Sequence, residues 1–158
     1  RVFETQDGRP LEDGATVPLG EMIRVRLFVY TEGGGPEIVG VFDPVAAGFE
    51  AVDAGLETTP RASLAALLGM GPDDDVVDAR AHHAMRSLGH IAHRAFPSHG
   101  ANFYFDRMPG GLQEYTYAIR ASSVGTFTVP PAQIEALYDH GFVARSRMNV
   151  LRVVDEAE

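Results

Sequence analysis

Apolar and polar residues alternate with a period of two along most of the chain. In Met22–Tyr30, Ile23, Val25, Leu27 and Val29 fall on one face, and Arg24 and Arg26 fall on the other. Such alternation, rich in β-branched residues, predicts a strand with one wet face. Ile38–Phe42 and Phe49–Val52 predict two more strands. The first of these stops at Asp43-Pro44, because proline cannot donate to a ladder. Strands follow at Ala101–Phe105, Leu112–Ser122, Thr126–Val129 and Arg145–Val154. In the second of these, Tyr115, Tyr117 and Ile119 share a face. Glycine and proline punctuate the series at Gly33-Gly34-Gly35-Pro36, Pro109-Gly110-Gly111, Val124-Gly125 and Pro130-Pro131. Such residues supply turns and end strands. The first twenty residues read as a polar, turn-rich lead-in.

The period changes in the middle. Thr59-Pro60 has the form of a helix N-cap followed by N1. Arg61–Leu68 is rich in helix formers, and Gly69 is placed as a stop. A second helix is expected from Asp78 to about Arg94, with acids early and His and Arg late, as the helix dipole favours. A helical turn is expected at Ile134–Tyr138. The expected fold is mainly β: an antiparallel sandwich of about seven strands, with a helical pair inserted over residues 57–100. The 158 residues form one domain. The chain opens at Arg1 without an initiator Met, which is read as an excised piece of a longer, multidomain chain.

Composition narrows the function. The net charge is −9, and all thirteen basic residues are arginines scattered along the sequence. Nucleic acid and anionic lipid call for clustered positive charge, so neither is an expected partner. The absence of cysteine removes disulfides, thiolate nucleophiles and cysteine zinc sites together. No apolar run is long enough to span a bilayer as a helix.

Candidate chemistry is sparse. His82, His83, His90, His93 and His99 lie within eighteen residues. On the expected helix, His90 and His93 are neighbours, and His83 lies two turns from His90, so His83, His90 and His93 form an alternative metal site. The blander reading is a solvated helix face. No serine sits in Gly-x-Ser-x-Gly. Asp73-Asp74-Asp75 reads as a helix-start cluster, and the glycine run at 33–35 lacks the Lys-Ser/Thr of a phosphate loop. No cofactor and no catalytic residue are expected.

The last sixty residues carry a family resemblance. Gly110–Pro131, with Arg120-Ala121, Val124-Gly125-Thr126-Phe127 and Val129-Pro130-Pro131, resembles the C-terminal domain of bacterial alpha-2-macroglobulins. Ile134–Tyr138 and Ala144-Arg145-Ser146 follow in the family's order. Upstream, Pro18-Leu19-Gly20 and Val41–Pro44 through Ala47-Gly48-Phe49-Glu50 resemble the family's first half. Two positions depart from it. Leu137 stands where the family has Met, and an acidic element is reduced to Phe105-Asp106-Arg107. The resemblance implies a macroglobulin or fibronectin-III-like sandwich that is not an enzyme, within a protease-trapping inhibitor of the periplasm or cell envelope. It also implies packing against the upstream thioester domain of the same chain, with Leu137 and Tyr138 covering the thioester. Target proteases are then met through the full-length protein. For Tyr138, plain core packing is the competing reading. The alternative function is a free-standing, His-rich metal-binding or adhesive sandwich.

Overall fold

The computed structural model describes residues 1–52 and 91–155. The expected helix over Arg61–Leu68, most of the second, and His82, His83 and His90 lie outside them. The described residues form three sheets. The first has the order β2-β1-β4-β9-β6: β1 is Val2–Glu4, β2 Pro10–Leu11, β4 Met22–Thr31, β6 Phe49–Val52 and β9 Gly111–Ala121. The second has the order β12-β11-β5-β8-β7: β5 is Glu37–Pro44, β7 Ile91–Ala95, β8 Gly100–Arg107, β11 Gln133–Ala136 and β12 Val143–Arg145. A third sheet has the order β10-β13-β3, formed by β3 (Ala15–Pro18), β10 (Gly125–Val129) and β13 (Asn149–Val154). Pairing is antiparallel except between β13 and β3.

The alternating sequence dictates the core. Ile23, Val25 and Leu27 on β4 and Tyr115, Tyr117 and Ile119 on β9 turn inward from the first sheet. Val39 and Val41 on β5 and Ala101, Phe103 and Phe105 on β8 turn inward from the second. The sheets meet through rings: Phe103 and Phe105 lie 5.5 and 5.2 Å from Tyr115 between centroids. Val17, Val129, Leu151 and Val153 bury the third sheet. Alternation of this kind is what two packed sheets require.

All seven expected strands are present, Phe49–Val52 with its expected ends and the others with changed ends. β5 continues through Asp43 and Pro44, which pair with Ala101 and Gly100. The segment expected as one last strand is two, β12 and β13, separated by Ser146–Met148. Three strands lie in the lead-in that was expected to be turns. The second helix does not extend over residues 91–94. There Ile91–Ala95 is the edge strand β7, paired to β8, and pairing to an open sheet edge outweighs the local helical pattern. The helical turn expected at Ile134–Tyr138 is likewise replaced by β11. Ile134 and Ala136 are buried while Glu135 is exposed, a period of two and not of 3.6.

Candidate functional site

Leu137 and Tyr138 stand at the tip of the hairpin that joins β11 to β12. β11 is held on both sides, by β5 and by β12. The tip is fixed by hydrogen bonds at its base. The Leu137 N–H donates to the Ile38 carbonyl at 2.9 Å, and the Ala136 N–H donates to the Phe142 carbonyl at 3.1 Å. Asp139 closes the turn twice. Its carbonyl accepts from the Phe142 N–H at 2.9 Å, and its Oδ1 accepts from the Gly141 N–H at 3.1 Å. Aspartate favours such turns because its short side chain bonds the backbone two residues on. Phe142 then packs back against the core.

This anchored loop holds two large apolar side chains in water. Leu137 is 59% exposed and Tyr138 is 80% exposed. Tyr138 therefore takes no part in the core of this domain. Val143, the first residue of β12, is exposed as well. Across the base of the tip, Ile38 has a φ of 52°, the one positive value among the described non-glycine residues. A β-branched residue in that region is a true outlier, at a cost of about 1–3 kcal/mol. Sequence reading missed Ile38, since nothing in a run of Val and Ile marks one of them as left-handed.

Of the histidine cluster, only His93 and His99 lie among the described residues. His93 sits on β7, and its ring stacks on Tyr104 of β8 at 5.9 Å. Among the described residues, no group of three His, Asp or Glu side chains is placed to hold a metal.

A buried polar cluster lies elsewhere in the sandwich. Asp43 on β5 accepts from the Tyr117 hydroxyl at 2.8 Å and from Arg1 at 2.5 Å. The Arg1 guanidinium also reaches the carbonyls of Val129 and Arg147 and lies over the Phe3 ring. Burial pushes the Asp43 carboxyl above its ordinary value, against the pull of Arg1 and Tyr117. Burial likewise raises the Tyr117 hydroxyl, aided by the adjacent Asp43. Asp43 and Tyr117 are partnered within the chain, and the Arg1 guanidinium bonds through its terminal nitrogens while its buried Nε has no partner; the cluster ties strands together.

Comparison with known proteins bears on the fold. The chain resembles, at 18% identity and a TM-score of 0.71, the native Escherichia coli alpha-2-macroglobulin solved by cryo-electron microscopy, with 97% of this chain and 9% of that one covered. The crystal structure of the native Escherichia coli protein from domain MG7 to the C-terminus gives 19% identity and a TM-score of 0.69, over 96% of this chain and 22% of that one. A mutant Salmonella alpha-2-macroglobulin gives 21% and 0.68, over 96% and 9%. This chain thus spans a small part of the proteins it resembles in fold. A search of curated proteins finds no match. The family model of the bacterial alpha-2-macroglobulin MG10 domain matches residues 1–140, and the chain belongs to that family.

Proposed function

We propose that this domain is a non-catalytic part of a protease-trapping inhibitor, and that it packs against the thioester-bearing domain of the same polypeptide. Leu137 and Tyr138 are the contact. The observation that carries this reading is the pairing of rigidity with exposure at the hairpin tip, where Tyr138 is 80% exposed on a turn closed by four backbone-directed hydrogen bonds. A fixed apolar pair in water costs solvation without a partner. Pressed over a hydrolysable thioester, it excludes water until the parent protein rearranges. Leucine in place of the family's methionine keeps nearly the same volume and apolar character. The parent would reside in the periplasm or cell envelope and meet its proteases as a whole. In support, the solved relatives include Escherichia coli proteins activated by trypsin or porcine elastase and a Salmonella protein reacted with methylamine.

The test is Tyr138→Ala in the full-length parent. Methylamine should consume the native thioester at least several-fold faster than in the unmutated protein. The stability of the domain itself should change by no more than about 0.5 kcal/mol, the usual range for a surface position. An unchanged methylamine rate removes the lid reading.

A further inference from the structure

We infer that Ile38 is a third member of the contact surface and the residue that positions Leu137; this rests on the lid reading above. At the φ of 52° that Ile38 adopts, a β-branched side chain crowds its own backbone, and glycine or asparagine is the usual occupant. Strained residues of this kind persist where surrounding structure forces them, and they gather at binding sites.

Its neighbours say what the strain does. On one side, Glu37 pairs with Arg107 and Val39 with Phe105, so β5 is in register just before and just after the twist. On the other side, Val39 pairs with Ala136. The next bond in that direction is the Leu137 N–H to the Ile38 carbonyl, 2.9 Å. Ile38 thus supplies the last acceptor before the chain leaves β11 for the exposed tip. A glycine would present this carbonyl without strain. Isoleucine adds a stiff apolar side chain, 41% exposed, one register step from Leu137 at 59%.

The occupant is the apolar wall of the covalently linked neighbour around the thioester. One observation selects it over a free protein partner. The same fold makes up 9% of a far longer chain in the full-length relative, so another domain is always within reach.

Two measurements on the full-length parent test this. In hydroxyl-radical footprinting of the native state, Ile38 should be oxidised several-fold less than its 41% exposure in this domain allows, alongside protection of Leu137 and Tyr138. Protection of Tyr138 with Ile38 fully reactive overturns the inference and leaves the lid reading standing. A fully reactive Tyr138 overturns both. The second measurement compares Ile38→Gly with Ile38→Val. Glycine relaxes the backbone, so a merely structural role predicts a Tm that is unchanged or higher and an unaltered methylamine rate. The contact role predicts a methylamine rate raised several-fold in Ile38→Gly, with Ile38→Val close to the unmutated protein. Equal rates in all three overturn it.

Discussion

At the scale of single residues, the least forgiving position is Asp43. Its carboxylate lies between the Arg1 guanidinium and the Tyr117 hydroxyl, and the Asp43 and Arg1 side chains are 0% and 1% exposed. Taking two charges out of water is costly, and their mutual attraction returns that cost only while both are present. Asp43→Ala leaves a cation and a phenol buried without their acceptor. It should destabilise the domain by about 3–5 kcal/mol, the range for breaking a buried pair. Asp43→Asn keeps an acceptor for Tyr117 and should cost less. Denaturant titration of the two variants measures the difference. If Asp43→Ala is as stable as Asp43→Asn, the acceptor that Asn keeps for Tyr117 contributes nothing. None of this was legible in the sequence. Asp43 beside Pro44 has the look of a solvated strand end, and only the pairing of β5 with β8 as far as Gly100 carries it inside.

At the scale of elements, the corner before β6 shows how a sequence motif becomes packing. Ala47-Gly48-Phe49 was legible as a turn into a strand, but the reason for glycine was not. A Cβ on Gly48 would lie 2.1 Å from the Phe127 ring of β10. Phe127 in turn meets Phe49 edge to face at 6.2 Å. The Gly48 carbonyl also accepts from the Ser122 and Ser123 N–H groups at 2.8 and 3.3 Å, locking the corner to the β9–β10 turn. Gly48→Ala should therefore cost about 1–3 kcal/mol by overpacking. Phe127→Ala removes the obstacle as well as a half-buried ring. In the double variant the two losses should sum to less than their parts, with a coupling of about 0.5–3 kcal/mol as expected for residues in contact. Strict additivity in unfolding free energies would mean that the ring swings clear and the glycine is not required. The strands that sequence reading recovered are those with four or more alternating positions. Those it missed are short, like β1 to β3, or carry helix formers, like the Ile-Glu-Ala-Leu run of β11. In such segments the partner strand, and not the local pattern, decides the conformation. The Leu137–Tyr138 pair was legible through family resemblance. Its place on a hairpin tip was not, since that follows from the pairing of β11 with both β5 and β12.

At the scale of the whole molecule, distant segments close the sandwich. β13 pairs in parallel with β3 from the other end of the chain, and Leu151 and Val153 enter the same core as Val17. The centre of the main two sheets is aromatic, and its polar atoms set the response to pH. Tyr115 is buried between Phe103 and Phe105, and its hydroxyl has no hydrogen-bond partner. Burial raises its ionisation well above the ordinary phenol value of 10.0, and burial with Asp43 does the same for Tyr117. An acid whose folded-state pKa is raised keeps its proton in the folded protein after the unfolded chain has released it. The folded state then binds more protons, so stability must fall as pH rises. The loss begins near the unfolded value of about 10 and continues towards the raised folded-state values. Tyr115→Phe separates the contributions. It deletes a buried hydroxyl that bonds nothing and keeps the ring, so it should be neutral or stabilising by up to about 1 kcal/mol at neutral pH. It should also make the alkaline decline shallower, by the share of one phenol. Tyr117→Phe should likewise flatten the decline, but at a net loss at neutral pH, because Asp43 gives up a donor. Thermal unfolding followed from neutral pH to above the phenol range reads all three proteins on one scale. A Tyr115→Phe domain that is clearly less stable at neutral pH would show that the hydroxyl has a partner, and would displace the account of an unsatisfied group at the centre of the core.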